Sequence, residues 1–167
     1  MFDGIRLRLR DVGTLKVLCE AAEAHALRDQ QREPGAEHFL LAALDLPDGT
    51  ARRAFDRVVV EPEAVRGAIE RQYADALGSI GLTADIGADT TMSATPGIYR
   101  AAPSGEEVMQ ALAARRKDHG PLLGADVVGV VAGMPEGVAA RAIRALGLDP
   151  LVLKSAANAA AAAGRAG

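Results

Sequence analysis

The adjacent residues Glu37 and His38 are the pair in this 167-residue chain whose types suggest acid–base chemistry. A carboxylate and an imidazole can transfer protons near neutral pH when both face one substrate. Neighbouring residues on a helix point about 100° apart, so this pair forms no catalytic arrangement without partners from other segments. We therefore expect Glu37 to cap a helix, His38 to pack or bond locally, and the chain not to be an enzyme. A hydrolase centred on this pair is a third hypothesis, which requires turnover that Glu37→Gln abolishes.

The remaining residues with metal or redox chemistry are few. The histidines are His25, His38 and His119, and the one cysteine is Cys19. Their spacing matches no metal-ligand pattern, and the sequence has no Gly-x-x-x-x-Gly-Lys-Ser/Thr phosphate loop. We expect no metal and no cofactor. Cys19 shares the apolar face of a helix and is interpreted as a small core residue.

Arginines alternate with apolar residues near the start, from Ile5 to Arg10. Strict alternation indicates a strand or a short basic arm. Nucleic-acid-binding domains usually carry a basic excess, whereas this chain has a formal net charge of −3. An arm that is solvated or binds a protein partner is therefore favoured. A nucleic-acid-associated regulator that uses Arg6, Arg8 and Arg10 is the alternative.

The chain contains an internal duplication. Gly35-Ala36-Glu37 and Gly124-Ala125-Asp126 are 89 positions apart (124 − 35). Gly49 to Phe55 corresponds to Gly137 to Ile143 at an offset of 88 (137 − 49), and Glu61-Pro62 corresponds to Asp149-Pro150 at the same offset. Two similar structural units are expected.

Local signals place helices around these repeated stretches. Glu37 to Leu46 is apolar on nearly all sides, which indicates a central helix. Asp11 is predicted to be the N-cap of a first helix that ends near Arg28. The fourth helix starts at Pro62 and has an inner face of Val65, Ala68, Ile69, Gln72 and Ala76. Val127 to Val131 has strand propensity, but its repeat counterpart is helical, so a helix is predicted there.

These elements predict an all-α fold of two tandem four-helix repeats with pseudo-twofold symmetry, about eight helices in one domain. The expected parts are an N-terminal arm (1–10), a first repeat (11–77), a linker (78–102) mobile over 89–96, a second repeat (103–160) and a tail (161–167). Hydrophobic residues make up 49% and aromatics 3%, so the core should be aliphatic. One cysteine, no long apolar run and no signal-peptide pattern favour a cytoplasmic protein.

Two stretches carry a family resemblance: Gly35 to Leu44, and Glu136 to Arg141 followed by Leu146-Gly147-Leu148. They resemble the N-terminal (Clp R) domain of ClpC- and ClpA-type unfoldases, over residues 11–155. The resemblance implies a non-catalytic docking platform for adaptors and substrates. Without the ATPase phosphate loop, the chain is either a stand-alone protein of this kind or a fragment of a longer one.

Some members of that family bind phosphoarginine, with a Glu in each repeat for the guanidinium and a Thr near each first helix for the phosphate. The resemblance puts Glu37 and Asp126 at the acidic positions, and Asp11 and Ala102 at the threonine positions. Asp126 is shorter than Glu, Asp11 would repel a phosphate and Ala102 has no hydroxyl, so these departures argue against phosphoarginine. Relatives also capture cyclic peptides between the first and fifth helices with an aromatic residue near the start, which resembles Phe2.

The functional hypothesis is therefore a binding module for peptides, adaptors or substrate features of the Clp proteolysis system. The expected surface is a groove bordered by Glu37, Asp126 and the starts of the first and fifth helices. The module would be a regulator or a decoy that competes with a Clp ATPase or binds to it, without membrane association.

Overall fold

The computed structural model describes residues 2–81, 99–115 and 120–167, and every regular element in these ranges is an α-helix. The helices of the first half are α1 (Phe2–Arg28), α2 (Ala36–Asp45), α3 (Thr50–Asp56) and α4 (Pro62–Ser79). Those of the second half are α5 (Pro103–Arg115), α6 (Gly124–Ala132), α7 (Val138–Ala145) and α8 (Pro150–Ala166). The predicted all-α architecture is confirmed. The expected mobile stretch 89–96 and His119 lie outside the described residues.

Helices α2 and α6 form the centre of the core. Nine of the ten residues of α2 are buried, including Phe39 and Leu40, which have no exposed surface. In α6, Val127, Val128 and Val131 are equally inaccessible. The helix predicted for this valine-rich segment is confirmed, because tertiary packing on all sides outweighs the weak strand preference of single residues.

The two halves interlock, and they do not simply lie side by side. In addition to contacts within each half, α3 packs on α8 and α4 packs on α7. These two contacts are equivalent, because each joins the third helix of one half to the fourth helix of the other half. Helix α6 starts beside the end of α2, because a Cβ on Gly124 would come within 2.9 Å of the Ala43 carbonyl oxygen. The first turn of α6 therefore lies beside the last turn of α2.

Each half also supplies hydrogen bonds to the first turn of the other half's central helix. The N-cap residues Gly35 and Leu123 have no side chain that can accept a hydrogen bond. The Ala36 N–H instead donates to Ser104 Oγ at 3.1 Å, and the Ala125 N–H donates to Thr50 Oγ1 at 2.8 Å. These bonds satisfy backbone donors that a helix start leaves unpaired, and they link the repeats at both ends.

The first helix differs from its prediction. Helix α1 begins at Phe2, so the alternating segment is helical and Asp11 lies inside the helix instead of capping it. Leu and Arg are both good helix formers, and an alternation of six residues is too short to outweigh this preference. Asp11 is buried, and its carboxylate accepts the Leu122 N–H at 2.9 Å, which ties the middle of α1 to the loop before α6.

The inner face of α4 also differs in its last turn. Val65, Ala68 and Ile69 are buried as predicted, but Ala76 is exposed. Tyr73 takes the inward position instead, four residues after Ile69, and packs against the core. This exchange brings a phenol into the polar cluster at the start of α2.

Candidate functional site

Glu37 lies in the first turn of α2, and its carboxylate is turned inward. The residue is 6% exposed, and the Tyr73 hydroxyl donates a hydrogen bond to Glu37 Oε1. A Cβ at position 35 would lie 2.7 Å from Glu37 Oε2, so the carboxylate lies directly in front of Gly35. The carboxylate therefore has a partner from α4 inside the protein.

His38 caps its own helix. Its Nδ1 accepts the Gly35 N–H at 2.9 Å, and its Nε2 lies 3.1 Å from Asp29 Oδ2. An acceptor at Nδ1 fixes the neutral form in which Nε2 carries the proton and donates to the aspartate. The ring is fully buried and stacks on Tyr73 with centroids 6.2 Å apart.

The polar network continues from Asp29 to the surface. Arg66 donates to Asp29 Oδ1 at 3.1 Å and to His25 Nδ1 at 2.9 Å. His25 Nε2 then contacts Asp45 Oδ2 at 2.6 Å. Burial alone would raise the pKa of Asp29, but the hydrogen bonds from His38 and Arg66 outweigh it and hold this pKa below its ordinary value.

The cap of α2 is made by His38 and not by Glu37, which was expected to cap the helix. Both polar atoms of the His38 ring are engaged, one by a backbone N–H and one by Asp29. Glu37 is engaged by Tyr73, and its Oε1 is 3.6 Å from His38 Nδ1. A general base needs a free lone pair directed at a substrate; here the lone pair of His38 Nδ1 is used at the start of α2, and Glu37 Oε1 accepts from Tyr73.

Asp126 plays the corresponding part in α6. Its Oδ2 accepts the Leu123 N–H at 2.9 Å, as His38 accepts the N–H of Gly35. Arg165 from α8 and Arg115 from α5 donate to the same carboxylate, at 2.5 Å and 3.3 Å. Asp126 is 2% exposed. Two guanidinium groups of the chain itself occupy the carboxylate that the resemblance assigned to an external guanidinium.

The cap geometry corrects the alignment of the repeats. The N-caps Gly35 and Leu123 are 88 positions apart (123 − 35), so the third helical residues His38 and Asp126 are equivalent. The triplet match at 89 was wrong by one residue. In the correct register Ala125 is the counterpart of Glu37, and the second half has no acid at that position.

The other site residues fall at two separate places. The Ala102 N–H donates to the Pro34 carbonyl at 3.1 Å, which puts Ala102 beside the start of α2 and Glu37. Asp11 contacts Leu122 at the start of α6, near Asp126. The first turn of α6, which carries Asp126, lies beside the last turn of α2, whereas Glu37 is in the first turn of α2, so the structure does not bring Glu37 and Asp126 together. Phe2 is the first residue of α1, and its side chain is outside the described part.

A different, apolar surface lies between α1 and α5. Cys19 Sγ contacts Met109 Sδ at 3.8 Å, and the thiol also interacts with the Tyr99 hydroxyl. Tyr99 is 38% exposed, and Cys19 and Met109 are half-buried. Burial, more than its neighbours, raises the pKa of the Cys19 thiol, so this residue is protonated and unreactive at neutral pH.

Sequence reasoning did not select Tyr73 or Tyr99. They are the only two tyrosines of the chain, in a sequence that has no tryptophan. A buried tyrosine usually directs its hydroxyl to a partner, so their rarity was the available signal. Their partners, Glu37 and Cys19, are distant in the sequence.

The comparison with protein families agrees with this geometry. Residues 14–86 match the model of the Clp repeat (R) N-terminal domain. This stretch is a Clp repeat. The match includes α2, α3 and α4 and most of α1, and the second half repeats their arrangement at an offset of 88. No curated protein is similar enough to the chain to count as a relative.

Two features are absent from the residues that the structure describes. No helix there is long and apolar enough to cross a membrane. No group of three or more His, Cys, Asp or Glu residues in the same ranges could hold a metal ion.

Proposed function

We propose that this Clp repeat protein binds peptides, adaptors or exposed substrate segments of a Clp proteolysis system in the cytoplasm, without catalysing a reaction. It acts as a regulator or decoy that competes for these ligands with a Clp ATPase, or docks on one. The family match supports the link to the Clp system. Glu37 and His38 are hydrogen-bonded to other groups inside the protein, which favours a binding function over a catalytic one.

The observation that carries the proposal is the apolar surface between α1 and α5. Tyr99, Met109 and Cys19 form a strip that is partly open to solvent. An aromatic ring and a methionine side chain adapt to many apolar peptide side chains. Peptide binding here is consistent with the cyclic-peptide site that the resemblance implies between the same two helices.

The strip between α1 and α5 is a different place from the two acids, Glu37 and Asp126, that recognition of phosphoarginine would use. Glu37 is paired with Tyr73, and Asp126 is paired with two arginines of the chain. An external guanidinium would have to displace these partners. We therefore place ligand recognition on the α1–α5 strip and not on the two acids.

The test is a titration of fluorescein-labelled casein, an unfolded protein, with the purified chain, followed by fluorescence anisotropy. We expect a dissociation constant in the micromolar range, about 1–100 μM, and a loss of about tenfold in Met109→Glu. Leu151→Glu is the control, because Leu151 on α8 is 75% exposed and distant in sequence from the strip. An unchanged anisotropy at all concentrations, or an equal loss in both variants, would contradict the proposal.

The nucleic-acid alternative has a separate test. Arg6 and Arg10 are exposed on α1, where they could contact phosphates. Binding of a labelled DNA duplex that falls steeply with salt and disappears in Arg6→Ala/Arg10→Ala would support this alternative. We expect no such binding, because the chain carries a net negative charge.

A further inference from the structure

The α1–α5 strip continues along α1 toward the start of that helix. Val12 lies two helical turns before Cys19, so the two side chains lie on the same side of α1. Val12 is 57% exposed, and Cys19 contacts Met109 of α5. Two helical turns span about 11 Å, which is the length of about three residues of an extended peptide. The strip can therefore take a peptide side chain together with its neighbours.

A carboxylate of α1 lies at the edge of this strip. Glu23 is one turn after Cys19 and is half-buried. Burial is the main cause of the raised pKa values of Cys19 and Tyr99, and the negative charge of Glu23 raises both pKa values further. Because Glu23 acts on both groups, its carboxylate lies close to the part of the strip where the thiol and the phenol meet.

Helix α5 contributes a second carboxylate on its own side of the strip. Glu106 is exposed and lies one turn before Met109, so the two residues share a face of α5. Glu107 is on the opposite side of the helix from Met109. The start of α5 is hydrogen-bonded to the loop that follows α1. Glu106, in the first turn of α5, is therefore toward the same end of the strip as Glu23.

These two acids have no cationic partner in the part of the chain that the structure describes. Neither Glu23 nor Glu106 forms an ion pair or a side-chain hydrogen bond with a residue of those ranges. Glu20, which is next to Cys19 in the sequence, is paired with Lys16 at 3.8 Å. Arg100 is exposed before the start of α5. Two unpaired carboxylates and one arginine leave this edge of the strip with a net negative charge.

We propose that the α1–α5 strip selects peptide segments in which an apolar side chain is flanked by lysine or arginine. The apolar side chain packs on Met109 and Cys19 near Tyr99, and the flanking cations approach Glu23 and Glu106. This selection rests on the proposed function, because it specifies the ligand of the same surface.

The charges at the edge of the strip favour this class of peptide over others. A segment flanked by aspartate or glutamate would meet two like charges, which repel it. An uncharged apolar segment would cover the half-buried Glu23 without a counter-charge, and the removal of an unpaired carboxylate from water is costly. A lysine or arginine supplies the counter-charge, and its apolar stem covers part of the strip as well.

Fluorescence anisotropy of the full chain with three labelled peptides tests the proposal. Each peptide has a central Phe-Leu pair, flanked on both sides by two lysines, by two glutamines or by two glutamates. At low salt we expect the lysine peptide to bind about tenfold more tightly than the glutamate peptide, with the glutamine peptide between them. At high salt the ratio should fall to about threefold or less, because salt screens exposed charges.

Variants of the two acids assign the preference to this surface. In Glu23→Gln/Glu106→Gln the lysine peptide should bind about fivefold more weakly, whereas the glutamine peptide should bind at least as tightly as before. The matched control removes two exposed carboxylates from α4, in Glu61→Gln/Asp75→Asn. Within the described residues α4 packs on neither α1 nor α5. The control should keep the full preference, and circular dichroism establishes that each variant is folded.

The outcomes separate this selection from peptide binding itself. Equal affinities for the lysine and glutamate peptides, each lost in Met109→Glu, would overturn the selection and leave the proposed function standing. A preference for lysine that persists in Glu23→Gln/Glu106→Gln would also overturn it, because the net negative charge of the whole chain would then be the cause. If none of the three peptides bound, the proposed function and the selection would both be wrong.

Discussion

His38 and Asp126 hold the same position in the two halves, the third residue of a central helix, and each accepts the N–H of the N-cap residue at 2.9 Å. An imidazole in one half and a carboxylate in the other satisfy the same backbone donor. The neighbours differ accordingly. The neutral His38 donates to an aspartate, whereas the anionic Asp126 takes hydrogen bonds from two arginines.

The pairing of Asp126 predicts a large stability effect. Asp126→Ala removes a helix cap and leaves the partly buried Arg115 and Arg165 without their shared anion. We expect a loss of about 3–5 kcal/mol in the free energy of unfolding, the usual cost of removing one member of a buried ion pair. Urea unfolding measures it. Asp149→Ala removes the exposed N-cap of α8 and should cost only about 1 kcal/mol. Equal effects would contradict the role of the arginines.

The lowered pKa of Asp29 predicts a pH dependence of stability. A carboxyl group whose pKa is lower in the folded state than in the unfolded state stabilises the protein above the unfolded value, about 3.9. This contribution is lost as the pH falls through the folded value. The unfolding free energy should therefore decrease below about pH 4. In Asp29→Asn this decrease at acid pH should be smaller. If the unfolding free energy of the variant decreased at acid pH as much as that of the original protein, other carboxyl groups would be the cause of the decrease.

The raised pKa values of both tyrosines predict their titration. Burial is the main cause of the raised pKa of Tyr73, and the hydrogen bond from its hydroxyl to Glu37 raises this pKa further. Burial and the neighbouring Cys19 raise the pKa of Tyr99. Ultraviolet absorbance of the folded protein should therefore show no phenolate near pH 10, the ordinary value. Their contribution to stability is present below about pH 10 and is lost as the pH rises further. Reversible ionisation near pH 10 without unfolding would contradict this prediction.

Val59 offers a stabilising substitution. Its φ of 56° lies in the left-handed region, which is strained for a β-branched residue. The equivalent residue 88 positions later (147 − 59) is Gly147, with a φ of 76°. Val59 is 93% exposed, so little burial is lost on its removal. Val59→Gly should raise the free energy of unfolding by about 1 kcal/mol, and Gly147→Val should lower it by a similar amount. Calorimetric melting of both variants checks the pair.

Phosphoarginine should not bind. Calorimetric titration at ligand concentrations up to about 1 mM, which corresponds to a binding free energy near −4 kcal/mol, should show no heat. Free arginine serves as the control ligand. Tight binding that Glu37→Gln abolishes would instead show that the ligand displaces Tyr73 from Glu37.

The sequence by itself determined the helical class and the duplication. Apolar residues on all sides of residues 36–45, punctuated by Pro34 and Gly35, leave little alternative to a buried helix. The repeat, which the sequence places at an offset of 88 or 89, then transfers that assignment to the valine-rich segment of α6. These features are local or periodic, and so they can be identified without knowledge of the packing.

The tertiary structure decided the partners of the polar residues. Glu37 and Tyr73 are 36 residues apart, and Asp126 and Arg165 are 39 apart. No local pattern encodes which distant side chain meets a carboxylate. The exact offset between the two halves was also decided by the tertiary structure. A triplet of similar residues suggested an offset of 89 positions, whereas the hydrogen bonds at the starts of α2 and α6 show that it is 88. Helical periodicity is a property of the chain, but the neutralisation of a buried charge depends on where the folded chain places its counterpart.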